Sequence, residues 1–187
     1  TTQVSGLSST QIGGLSKDQI DGLTTTQISN LSTTQLDGVG TTLVAALTTT
    51  QVNALTTAQV QSLSTAQAKA FTTTQVSALT TTQAGNLTST QIGALTNAQV
   101  GALNTTNITG LTTTQLAGLT ATQVPGLTTT QVTALNSTQA ASLSTTLVKA
   151  LSAAQIHVVG TADAVALTTP QVGAFSSVQV AALTTQQ

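Results

Sequence analysis

From Leu7 to Leu183 every eighth residue is apolar, and no insertion or deletion disturbs the frame. Of these 23 positions 19 are Leu, the others being Val39, Phe71, Val159 and Phe175. The unit reads L-T-T-T-Q-V-T-A at 127–134, and its positions are lettered a to h from the Leu. A unit this short buries too little apolar surface to offset the entropy of ordering its own backbone, so it folds only when stacked on its neighbours. An array of near-identical units also has no single place set apart for chemistry.

Each position makes its own demand. Position b is Ser or Thr 19 times, Asn at 104 and 136, and Gly at 40 and 160. These four types are the preferred helix N-caps. Three residues on, position e is Gln in 20 of 24 occurrences, with Leu43, Asn107, Leu147 and Asp163 as exceptions. Ser or Thr followed by Gln at that spacing is the capping box, in which the Gln side chain returns to the backbone N–H of the cap. Its recurrence in register predicts that every octad starts a new short helix. Position h is small almost throughout, with 11 Ala and 7 Gly. The Ala majority points to close approach of neighbouring backbones, because a left-handed conformation would select Gly and Asn. Four of the seven charged residues stand at g, Lys17 and Asp18 at c and d, and Asp163 at e. Charge is thus absent from a, b, f and h, which places c, d and g in solvent and a, f and h in an interior.

A continuous helix cannot satisfy this period. Eight residues at 100° advance 800° in an ideal helix, so successive Leu residues would rotate by about 80° and form no stripe. Blocks of Thr are also poor helix interior. The expected fold is all-α, a solenoid of very short capped helices with one per octad. A β-solenoid remains the alternative, favoured by the Thr, Val and Ile content but not by period-two alternation or by Asn-Gly and Asp-Gly turns. Residues 1–187 read as one uninterrupted array. Both termini fall in mid-octad, and no distinct capping repeat closes either end, which is expected of a window from a longer chain.

Composition removes several classes of function. Charged residues make up 4% of the chain and the formal net charge is −1, so there is no electrostatic footprint for nucleic acid. Polar blocks interrupt the apolar residues in every octad, so membrane insertion is not expected. Cys, Glu and Arg are absent, and His157 is the one His. Its nearest carboxylate in sequence is Asp163, and no catalytic, cofactor-binding or metal-ligating residue is expected. Asn-x-Ser/Thr sequons occur at Asn30, Asn86, Asn104, Asn107 and Asn136, as a Thr-rich composition would generate, so glycans are permitted.

With units such as L-T-T-T-Q-V-T-A along its whole length, the chain resembles the octapeptide (LTxxQVxA) repeat arrays of very large secreted or surface-displayed, adhesin-like bacterial proteins. The resemblance implies an extracellular or cell-surface location and a structural or adhesive role. The expected function is an extracellular filament, sheath or stalk extended by stacking of octads, with self-association by end-to-end or lateral contact. The alternative is an adhesin, or an ice- or carbohydrate-binding surface built from regular ranks of Thr.

Overall fold

A computed structural model describes residues 2–187, and within them the chain forms 22 α-helices of four to six residues and one short 3-10 turn at Val124–Gly126, with no strand. One helix belongs to each octad, as the repeated capping box predicts. The octad beginning at Phe71 is representative. Thr72 is extended (φ −72°, ψ 160°) and caps the helix Thr73–Ala78. The backbone N–H of Gln75 donates to Thr72 Oγ1 at 3.1 Å, and Thr72 N–H donates to Gln75 Oε1 at 2.7 Å. Leu79 then returns to extended geometry (φ −54°, ψ 131°), its N–H closing the last turn on the Val76 carbonyl at 3.2 Å.

Two extended residues, at a and b, therefore separate consecutive helices and turn the chain. No residue among those described has a positive φ, so the bend needs no left-handed glycine. Of the two prolines, Pro170 sits where a missing N–H costs least, whereas Pro125 at g lacks an N–H that other octads bond, as Ala117 does to the Thr113 carbonyl. Pro170 lies in the first turn of the helix Thr169–Val172, and Pro125 lies in the 3-10 turn, the one octad without an α-helix between Thr2 and Ala182.

Helices pack on those three octads further along: Thr73–Ala78 meets Asn97–Ala102, and Thr65–Ala70 meets Ser89–Ala94. The turns are tied together by the Gln at position e. Gln91 Nε2 donates to the Val60 carbonyl at 2.9 Å and to the Leu63 carbonyl at 2.7 Å, residues that lie 31 and 28 positions earlier. Gln123 does the same with Ile92 at 2.7 Å and Leu95 at 2.6 Å. Every Gln at e from Gln35 to Gln187 donates to the position-a carbonyl 28 residues before it. One superhelical turn thus takes between three and four octads. The position-f acceptor also takes the N–H of the position-a residue, as Val60 does from Leu63 at 3.3 Å, whereas the position-a carbonyl lies just past the helix end, where no N–H of its own helix follows. From Gln35 on, a glutamine at e bonds the start of its own octad and supplies a further donor to the end of a helix one turn earlier.

The interior differs from the expected one in this respect. Positions a and f line it as anticipated: Val60, Val76 and Val100 have no exposed surface, and Leu79 retains 3%. Position h is half-buried, whereas e is inside, with Gln91 2% and Gln131 2% exposed. An amide is hidden there because all of its hydrogen-bonding capacity is met by backbone.

The donor role of Nε2 ranks substitutions at e. Gln91→Leu loses the hydrogen bonds but keeps an apolar side chain of similar size, as Leu43 and Leu147 do in this chain. Gln91→Glu places a carboxylate against two carbonyl oxygens, and is expected to cost about 3 kcal/mol or more at neutral pH. Burial and the carbonyls raise the pKa of that carboxyl above its unfolded value, so the native state holds the proton more tightly. The deficit of Gln91→Glu should therefore be small below about pH 4 and grow as pH rises. Thermal unfolding followed by circular dichroism against pH checks both the order and the sign.

Candidate functional surface

What the array offers to solvent is set by the same frame. In the octad at Phe71, Thr72, Thr73, Thr74 and Ser77 are exposed. The hydroxyl at b is committed to capping, while c and d extend the hydroxyl-rich ridge, octad after octad. In two octads the hydroxyls at b and d also join, Thr88 with Thr90 and Thr120 with Thr122, both at 2.9 Å. Lys17 and Asp21 form the one ion pair among the described residues, exposed and 3.9 Å apart. Such a pair contributes little in water.

A second set of contacts joins the turns at the surface, between position g and position h 25 residues on. Gln61 Nε2 donates to Asn86 Oδ1 at 3.0 Å, and Thr133 Oγ1 to the Val158 carbonyl at 3.3 Å. His157 Nδ1 stands 3.1 Å from the Ala182 carbonyl, in place to donate from the tautomer protonated there. His157 is therefore engaged across a turn. Asp163 lies elsewhere, half-buried at position e, where it accepts from Ser137 Oγ at 2.7 Å. The structure does not bring the two together as an acid–base pair. Among the described residues no three of His, Cys, Asp and Glu are grouped where a metal ion could sit.

The interior holds two apolar voids of about 20 Å³ each, one bordered by Ala140, Leu143, Val148 and Phe175, the other by Ile108, Leu116, Leu119 and Leu147. Each admits about one water-sized sphere and has almost no polar lining with which to hold it. At the surface a groove of about 510 Å³ runs between Leu111–Thr113 and Asn136–Gln139, floored by the hydroxyl ridge.

The sequons separate on burial. Asn104 and Asn136 are exposed, each with its Oδ1 accepting the backbone N–H three residues on as a helix cap. Asn107 is 1% exposed and sits where other octads carry Gln, its Nδ2 donating to the Leu79 carbonyl at 2.9 Å. A glycan cannot be attached to it in the folded array. Being one methylene shorter than Gln, it keeps the bond to the preceding turn but does not return to the N-cap N–H, and its Oδ1 is left without a hydrogen-bond partner.

The glutamine link between turns and the g-to-h contacts were both hidden from single-octad reasoning. The available signal was the chemistry of the exceptions at e: two are Leu, a poor choice for a solvated position. Asn107 yields a direct test. Asn107→Gln restores the reciprocal cap and satisfies the orphaned oxygen, and is expected to stabilise the protein by about 1–3 kcal/mol. Its thermal midpoint should rise by a few degrees in a calorimetric comparison with the parent.

Residues 1–33, 28–65, 44–81, 52–89 and 92–129 each match the family model described as the ALTTAQ repeat. The six letters of that description stand in this chain at Ala54–Gln59, running from position h to position e. No curated protein matches the chain.

Proposed function

We propose that this chain, which belongs to the ALTTAQ repeat family, is a non-enzymatic structural element that extends an extracellular filament, sheath or stalk and associates with copies of itself. The observation that carries the reading is the glutamine link. The turns are joined by the same kind of donor to the same kind of backbone acceptor wherever Gln stands at e, so length is added without any new kind of contact. A near-absence of charge supports lateral association, since uncharged Ser, Thr and Gln surfaces approach one another without the repulsion that keeps most proteins dispersed. The hydroxyl ridge at c and d supports a second reading, in which ordered Thr ranks bind a glycan or an ice surface.

Negative-stain microscopy and sedimentation velocity over a wide concentration range discriminate the readings. Filaments or laterally associated bundles that lengthen with concentration are expected of the structural element. Rods that stay dispersed at high concentration would overturn self-association and favour the binding surface. Glycan-array binding, or thermal hysteresis in partly frozen solution, would then identify which surface is recognised.

A further inference from the structure

Glycine is costly at both g and h. These positions end the short helices, where Ala costs less conformational entropy, and none of the described glycines uses a left-handed backbone. Where they occur is nevertheless ordered. Twenty pairs of a g and an h residue lie 25 positions apart, from Ser5 with Asn30 to His157 with Ala182. Gly stands at g in four of these pairs, at 13, 85, 93 and 101, and in all four the residue 25 positions on is also Gly: 38, 110, 118 and 126. In the other sixteen pairs neither residue is Gly. An offset one octad shorter or longer breaks the match, since Gly13 would then meet Asn30 or Ala46.

The structure gives the physical cause. A Cβ on Gly93 would lie 2.7 Å from the Gly118 carbonyl oxygen, and one on Gly101 would lie 2.6 Å from that of Gly126. In the opposite direction a Cβ on Gly118 would lie 2.7 Å from Ser89 Cα, and one on Gly126 would lie 2.7 Å from Asn97 Cα. Gly13 and Gly38 meet in the same way, with Gly38 against the Ser9 carbonyl. Gly85 and Gly110 are not closed in this way: a Cβ on Gly85 would meet nothing within 4 Å, and one on Gly110 would meet only the Thr81 Cγ2 methyl at 3.2 Å. At the three tight pairs, backbone touches backbone between turns, and both residues must lack a side chain. The matching is not confined to glycine: Gln61 bonds its partner Asn86, and Thr133 bonds the backbone of Val158, the one large residue at h.

We infer that positions g and h, 25 residues apart, form the surface by which one turn recognises the turn that stacks on it, and that the register of the array is encoded there. The core cannot encode it. Positions a, e and f are nearly the same in every octad, so a slip of one octad would re-form the glutamine links and the apolar lining almost unchanged. At the surface the same slip is penalised. It sets Gly101 against Ala134, or Thr109 against Gly126, where a side chain enters a gap that the backbones had closed. This is specificity built against near-equivalent alternatives, in the manner of register control in sheets and coiled coils.

A double-mutant cycle on the full chain tests the inference. Gly93→Ala and Gly118→Ala should each lower the thermal midpoint. Together they should lower it by clearly less than the sum, because an Ala–Ala pair, as at Ala45 with Ala70 and Ala141 with Ala166, lets the turns separate and accommodate both methyls. Gly93→Ala with Gly38→Ala, which are not partners, should be additive. The reverse cycle remains readable even if those variants fail to fold. Ser77→Gly and Ala102→Gly should each cost about 3 °C from helix propensity alone, and the double variant should lose less than the sum because the seam can close. Additive results for the Gly93/Gly118 partners would overturn the inference, as would an additive Ser77/Ala102 cycle where the alanine variants do not fold.

Discussion

A single glutamine side chain, repeated once per octad, holds this protein together. Helices of five or six residues are far below the length at which helix propensity sustains itself in water. Almost every backbone group in such a helix is near an end and short of an intrahelical partner. Gln91 addresses both ends at once: its Oε1 takes the N–H of Thr88 at the start of its own helix, and its Nε2 serves the carbonyls of Val60 and Leu63 at the end of a helix one turn earlier. An amide is the side-chain group that accepts on one side and donates on the other without charge. Its desolvation cost is offset because it is fully paired with backbone.

The apolar lining has a simpler task. Val or Ile at f and Leu at a fill the space that the turns enclose, and they are nearly the same in most octads. Stability is then a sum over units and over the contacts between turns. A pocket for a small molecule requires that symmetry to be broken, and the two interior voids beside Phe175 and Leu147 are only about 20 Å³ each. Functional content lies in what repeats: an uncharged, hydroxyl-rich surface of extendable length.

The exceptions show which part of the interaction each octad can give up. Leu43 and Leu147 abandon both amide functions and remain inside as apolar residues. Asn107 keeps the bond to the preceding turn and gives up the reciprocal cap. Asp163 supplies neither donor, and its octad also has Gly160 as a cap without a side chain. That octad has no buried residue in its helix, and Val165 there is 77% exposed. Gly40 with Leu43 repeats the association of a side-chain-free cap with a non-Gln at e. In these two octads cap and glutamine are lost together, whereas Ser144 still accepts the Leu147 N–H and Asn104 that of Asn107, so the cap can outlast the glutamine.

Local structure was legible from the residues alone because its determinants are local. The capping box spans four residues, and its recurrence in phase announced short helices restarted every eight residues, with a and f inside and c, d and g outside. The burial of e and the half-exposure of h were not legible, because the distribution of charge reports where an ion is tolerated and says nothing about a neutral amide whose partners lie 28 and 31 residues away. The turn of three to four octads was likewise decided only in three dimensions. Nothing within one octad specifies which later octad will lie against it; that choice is made where glutamine reaches the carbonyls at the end of an earlier helix and where two backbones come close enough to exclude a side chain.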